Sequence, residues 1–276
     1  MTDRELRIKA IQYRQRLLKY IRQGGAGHTG GDLSCFDILN VLYNRVLSVS
    51  PETFNDPARD RYIQSKGHSV EALYVVLADR GFFPESDLQT LNQYGSHYVG
   101  HPTRKVCGIE QNTGALGHGL AFALGVALAG KMDTATYRVY TLLGDGELAE
   151  GSNWESMMSA AHYRLDNLTA IVDRNTLQIT GPTHEVCELE PLEDKLRSFG
   201  WSIRTIDGHD IAALSETLGT VPFEAGKPSA VIARTVKGKG ISFMENDPTW
   251  HHRVPDDEQY ERAQQELAAL LAEVAS

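Results

Sequence analysis

Cysteine is scarce in this chain, with three residues in 276, at positions 35, 107 and 187, and no Cys-x-x-Cys spacing. An odd, scattered set excludes both a disulfide framework and a thiolate zinc site, and a reducing cytoplasm is the expected setting. Positive charge is also in deficit: 27 Lys and Arg stand against 36 Asp and Glu, for a net charge of -9. Nucleic acid and anionic membrane are therefore not expected partners, because both require clustered cations to neutralise phosphates. No run approaches the roughly 18 apolar residues of a membrane helix, and the charged N-terminal segment has no apolar leader core. The chain is expected to be neither exported nor membrane-spanning. Two phosphate signatures are missing as well. The glycine turn at residues 144–146 lacks the Gly-x-Gly-x-x-Gly dinucleotide fingerprint, and Gly238-Lys239-Gly240 is followed by Ile241 and not by a Walker-type Ser or Thr.

What is present is ordinary globular composition, 41% hydrophobic and 23% charged, in a length sufficient to bury a core without staples. Thr2 and Glu5 have capping-box spacing ahead of an amphipathic helix ending near Gln23, where Gly24 and Gly25 stop it. Residues 33–47 and 69–80 read as two more helices around a Pro/Asp/Asn-rich loop at 50–60, with no obvious early strand. From residue 114 the pattern becomes alternating. A small-residue helix (117–131) precedes a strand (138–143), a glycine turn and a helix to about Tyr163. Strands at 168–172, 201–206 and 229–235 then alternate with helices near 192–199 and 211–218, and the tail from Asp256 to Val274 forms a final surface helix. This alternation predicts an α/β fold: a doubly wound, mainly parallel sheet with helices on both faces, as a single domain over 1–276.

Polar clusters fall just past the predicted strands: Gly144-Asp145-Gly146-Glu147, Asp173-Arg174-Asn175, Asp207-Gly208-His209 and Lys237-Gly238-Lys239-Gly240. In an open α/β sheet that edge is where ligands bind. The first cluster taken alone is an ordinary turn. However, a glycine-bracketed turn entering a helix can also offer N–H groups to a phosphate, and a carboxylate beside a diphosphate needs a divalent cation between them. Asn175 lies about one β-α-β unit further on, so a right-handed crossover brings it beside Asp145. Asp145, the Asn175 amide and a backbone carbonyl near Leu177 supply hard oxygen ligands and leave positions around Mg²⁺ for two diphosphate oxygens and a water. Glu147 reads as a helix N-terminal anion stabilised by the macrodipole.

These residues resemble the metal and diphosphate motif of thiamine-diphosphate enzymes. More specifically, the chain resembles the N-terminal, diphosphate-binding half of a transketolase from about Lys9 to Pro255. The likeness runs through Gly27-His28-Thr29-Gly30, Ser65-Lys66-Gly67-His68, Gly100-His101-Pro102, Gly114 to Gly119, Gly144 to Gly151, Asp173-Arg174-Asn175 and Trp250-His251-His252. It implies that His28, His68, His101 and His251 line the channel to the reactive thiazolium carbon; imidazoles titrating near neutrality suit the protons of sugar hydroxyls. The sequence leaves open which of His251 and His252 faces inward. By the same resemblance Gly114, Ala115 and Leu116 cradle the cofactor with Gly144, Asp145, Gly146, Asn175, His68 and His251, and Leu116 supports its bent form. The metal, Mg²⁺ or in its place Ca²⁺ or Mn²⁺, is held by Asp145, Asn175 and Leu177. Glu150 matches a glutamate near a subunit boundary that couples to the activating carboxylate of the other active site; the alternative is a plain surface glutamate. His118 stands where many single-chain transketolases have Gln and is given no role.

The pyrimidine-binding module of a full transketolase is absent from these 276 residues. The resemblance thus implies one subunit of a split enzyme, acting with a C-terminal transketolase subunit that carries that module, as a heterotetramer of two chains and two partners. The implied activity is transfer of a two-carbon ketol unit from a ketose phosphate to an aldose or aldose phosphate. Other thiamine-diphosphate subunits, of deoxyxylulose-phosphate-synthase or 2-oxo-acid dehydrogenase α type, are the nearest alternative. A nucleotide-dependent dehydrogenase domain and a non-catalytic module follow.

Overall fold

The computed structural model describes residues 1–276. Its first helix, α1 (Asp3–Gly24), begins at the expected capping box: the Glu5 N–H donates to Thr2 Oγ1 at 3.2 Å and the Thr2 N–H to Glu5 Oε2 at 2.6 Å. It ends where Gly25 turns left-handed at φ 68°. Helix α2 (Thr29–Val41) is buried along its whole length and runs into a π-helical turn at Leu42–Val46.

A strand that periodicity does not reveal follows, β1 (Arg61–Gln64), at the edge of the sheet. Four residues are too few to display a period of two, and the buried Gln64 breaks the apolar pattern. Helices α3 (Val70–Asp79) and α4 (Gly119–Met132) lead to β2 (Val139–Gly144), α5 (Gly151–His162) and β3 (Leu168–Arg174). A short hairpin, β4 (Leu177–Gln178) with β5 (Gly181–Pro182), is continued by the single turn α6 (Thr183–Val186) and by α7 (Leu192–Ser198). The chain closes with β6 (Ser202–Asp207), α8 (Ile211–Gly219), β7 (Ser229–Arg234) and α9 (Asp257–Ala275), whose capping box pairs Asp256 with Gln259.

All pairings in the main sheet are parallel, in the order β1-β2-β3-β7-β6. Alternate strand residues enter two cores. Tyr140, Leu142, Ile171 and Val231 face α1, α2, α3, α8 and α9, whereas Val139, Leu143, Ala170, Val172 and Ile232 face α4, α5 and α7. The period of two thus buries both faces, as a sheet with helices on either side requires. Chain direction explains the division. Moving from β2 to β3 to β6 puts α5 and α7 on one face, and stepping back from β6 to β7 by a right-handed crossover puts α8 on the other. The carboxyl ends of β1, β2, β3 and β7 consequently open on one edge. No helix is long and apolar enough to cross a membrane.

Candidate cofactor and reaction site

A cleft with about 570 Å³ of empty space opens at that edge. Register explains why Asp145 and Asn175 meet there: Gly144 at the end of β2 pairs with Asp173 at the end of β3, and each polar residue lies just past its strand. Asp145 is buried. Its Oδ1 accepts from the Gly146 N–H at 2.8 Å, and its Oδ2 accepts from the Thr176 N–H at 2.6 Å and from Arg174 Nη1 at 3.0 Å. Burial, then the neighbouring Asp173, raises the Asp145 carboxyl above the usual carboxylate range, and Arg174 only partly offsets this. A buried carboxylate beside a second carboxylate, only partly offset by one arginine, is stabilised by a further cation.

The oxygens suit a hard cation. Asp145 uses three of its roughly four acceptor positions, Asn175 Oδ1 takes the Leu177 N–H at 3.1 Å and keeps a second lone pair, and Leu177 pairs with Pro182 next to the hydrogen-bonded Thr176–Thr183 pair, so its carbonyl points away from β5. Gln178 Oε1, in the same cleft, is buried without a hydrogen-bond partner. No group of three or more His, Cys, Asp or Glu side chains could hold a metal. A cation here would therefore rest on one carboxylate, one amide and one carbonyl, with further ligands from an anionic cofactor.

Two lysines line the same cleft, and reading roles from the sequence overlooks both. Lys66, just past β1, is buried and ion-paired with the buried Asp173, and its Nζ also donates to the Gly31 carbonyl at 3.0 Å. Asp173 further accepts from Ser34 Oγ and Thr235 Oγ1. Lys237, past β7, is buried and bonded to His251 Nδ1 at 2.9 Å, and burial, with Lys66 close by, lowers it to about 8. The signal for both lies in Ser65-Lys66-Gly67-His68 and in the Lys-Gly-Lys-Gly cluster past the last strand. Lys66→Met leaves Asp173 buried without its cation, and we expect a loss of about 3–5 kcal/mol in stability by urea unfolding, with the slope unchanged.

The histidines gather around one ring. His28 is the hub: its ring centroid lies 5.4 Å from His68, 5.9 Å from His101, 5.6 Å from His251 and 4.7 Å from His252. Both members of the adjacent pair thus face the cluster; His251 is half-buried against Lys237 in the cleft, and His252 is exposed. Burial, followed by the neighbouring imidazoles, pushes His28 down to about 3. Burial, then Lys237, pushes His251 down to about 4, and burial lowers His68 and His101. These four rings are therefore neutral near pH 7 and do not titrate near neutrality as expected of free imidazoles; each can accept a hydrogen bond at one ring nitrogen and donate one at the other.

The remaining residues divide. Leu116 lines the cleft, and Gly114 adopts φ 137° directly beneath His101, where a Cβ would lie 2.5 Å from the imidazole Cδ2. Ala115 is exposed and does not line the cleft, and His118 turns outward to the carbonyls of its own loop. Glu150 stands exposed on the rim, at the start of α5. Glu147 does stand in the first turn of a short 3-10 helix, Gly146–Ala149, as expected, but its carboxylate is taken up by other loops. It is buried and accepts from Ser65 Oγ, from the Gly117 N–H at 2.9 Å and from the Gly144 N–H at 3.0 Å. The residue braces three loops of the cleft together, an arrangement that only their convergence in space creates.

Known proteins resemble this chain over nearly its whole length. The family profile described as "Transketolase, thiamine diphosphate binding domain" matches residues 7–269. An apulose-4-phosphate transketolase subunit of Phocaeicola vulgatus is 46% identical over 96% of this chain and 95% of its own length. A 6-deoxy-6-sulfo-D-fructose transketolase subunit of Clostridium sp. is 42% identical over 95% of this chain and 96% of its own length. Among solved structures, the transketolase of Campylobacter jejuni superposes with a TM-score of 0.90 at 28% identity, covering 97% of this chain and 43% of that longer one. The chain therefore belongs to the transketolase family, as an N-terminal, thiamine-diphosphate-binding subunit.

Proposed function

We propose that this chain, one domain over 1–276, is the diphosphate-binding half of a two-subunit, cytoplasmic transketolase that uses thiamine diphosphate and Mg²⁺, with Ca²⁺ or Mn²⁺ able to substitute. The observation that carries the proposal is the placement of Asp145 and Asn175 at adjacent strand ends, in one cleft with Lys66, Lys237 and His251. Bound there, the cofactor supplies the nucleophile and electron sink for C–C cleavage. Asp145, Asn175 and the Leu177 carbonyl hold the cation, the two lysines oppose the diphosphate charge, and Gly114 and Leu116 bound the cofactor's path. The neutral His28, His68, His101 and His251 take and return protons at sugar hydroxyls and donate to the oxygens on which charge develops. Glu150, on the rim, is placed to face a partner.

A C-terminal subunit bearing the pyrimidine-binding module completes the site, in a heterotetramer of two plus two. Exposed apolar surface supports a partner. Helix α4 has no polar face yet leaves Phe122 46% and Met132 77% exposed, and α5 leaves Met158 54% exposed. The full-length relatives are named for a branched and a sulfonated sugar, which favours donors outside the common pentose phosphates.

The test is ketol transfer by this chain alone and then mixed with its C-terminal partner, with thiamine diphosphate and Mg²⁺. Xylulose 5-phosphate, apulose 4-phosphate and 6-deoxy-6-sulfofructose serve as donors. Turnover only in the mixture is expected; turnover by the chain alone would refute the split architecture, and none in either would refute the reaction class.

A further inference from the structure

Two carboxyl groups lie beneath the histidine cluster with no part in the chemistry above. Asp32, in the first turn of α2, is 0% exposed, and Glu71, in the first turn of α3, is 2% exposed. They are within hydrogen-bonding reach of each other. Asp32 Oδ1 accepts from the Ala72 N–H at 2.9 Å, but Asp32 Oδ2 and both Glu71 oxygens are buried without a well-formed hydrogen bond from another residue. Two neighbouring buried carboxyls with three unpartnered oxygens between them repel unless at least one is protonated.

The helix starts that carry the pair adjoin three of the four segments that carry clustered histidines. The N–H groups of Gly31 and Asp32 donate to the His28 carbonyl at 2.9 and 3.0 Å. A Cβ on Gly31 would lie 3.1 Å from Ser69 Oγ and 3.5 Å from His68, and one on Gly100 would lie 3.7 Å from Glu71 Oε1, beside His101. Tyr74, one turn beyond Glu71, donates to the His101 carbonyl at 3.3 Å.

We propose that Asp32 and Glu71 share a proton and act together as a positioning pair, clamping the segments of His28, His68 and His101 into one cluster. The role rests on the ketol-transfer reading only for its effect on turnover. Lys66, Cys35 and Tyr74 lie near the pair, and Lys66 is the single cation among them. Burial raises both groups, Asp32 to about 8 and Glu71 well above the carboxylate range. The folded chain therefore binds at least one proton more than the unfolded chain, which releases both near pH 4, so the pair subtracts from stability as pH rises from about 4 towards 8. Once the shared proton is lost, two like charges push α2 and α3 apart.

Glu71→Gln keeps a donor against Asp32 at every pH, and Glu71→Ala removes it. Infrared spectra of the chain alone at neutral pH should show a buried protonated-carboxyl band that weakens in Glu71→Gln and in Asp32→Asn. Between neutral and alkaline pH, the ¹⁵N imidazole shift of His101, which Lys237 does not influence, should move in the wild type and hold still in Glu71→Gln, and that of His28 should move further in the wild type than in Glu71→Gln, where Lys237 alone titrates beside it. In the complex with its partner, Glu71→Ala should lower kcat by about tenfold with apparent cofactor affinity unchanged, and Glu71→Gln should restore it. Lys237 titrates alike in all variants, so the ratio of wild-type to Glu71→Gln kcat isolates the pair and should fall at alkaline pH. Absence of the band overturns proton sharing. Histidine shifts alike in wild type and Glu71→Gln, or a Glu71→Ala chain that loses stability but no kcat, overturn positioning. Absence of turnover in every variant overturns the ketol-transfer reading and leaves the infrared and imidazole results to decide the pair.

Discussion

Asp145→Ala should fold and should no longer retain thiamine diphosphate in a Mg²⁺-dependent way. The carboxylate accepts from two backbone N–H groups and Arg174 and is the single anionic ligand in the proposed cation set. Its removal takes away the group that would bridge protein to diphosphate through the metal, and it leaves Arg174 with Glu190 alone, at 2.7 Å, as an acidic partner. A loss of roughly 3–4 kcal/mol of binding corresponds to about a hundredfold to a thousandfold in affinity. Calorimetric titration of cofactor into the two-subunit mixture, with and without Mg²⁺, measures this. Asp145→Asn should recover part of the loss, since an amide oxygen still coordinates but brings no charge. Unaltered Mg²⁺-dependent binding by Asp145→Ala would remove this residue from the metal site.

His28→Ala should give the opposite pattern, with cofactor bound near wild-type affinity and ketol transfer slowed by about 10²- to 10⁴-fold. His28 is the ring on which the other four converge, its Nδ1 is buried without a protein partner, and it lies outside the proposed cation and diphosphate set. That unsatisfied nitrogen fits a substrate hydroxyl. The change should cost little stability, because His28 makes no side-chain capping bond to α2. Single-turnover kinetics on the cofactor-loaded complex separates binding from chemistry. An unchanged kcat would make the cluster a passive lining, and lost cofactor binding would move His28 into the cofactor's own contacts.

Much of the architecture was legible because burial follows period. The capping box at Thr2 and Glu5, the strand runs Val139–Gly144 and Leu168–Arg174 and the strand-end position of Asp145 and Asn175 are local properties, and local spacing predicts them. The histidine loops were legible through motif order. β1 was not, because a four-residue edge strand has too little pattern to read.

The fate of buried charge could not be read from sequence. Glu147 looks like any helix-start glutamate until Ser65, Gly117 and Gly144 arrive from separate loops to satisfy it. Asp32, Glu71, Lys66 and Lys237 look like surface residues in a linear chain; packing α2 and α3 over the strand ends removes them from water and decides which are paired. By itself, the sequence determined the parallel α/β scaffold, the strand-end edge and the residue types waiting there, because these depend on periodicity and spacing. Only the tertiary structure decided that both His251 and His252 face His28, and which carboxyls are left without a donor. Ionisation and hydrogen bonding depend on distances between residues remote in sequence, and on the water that folding excludes from between them.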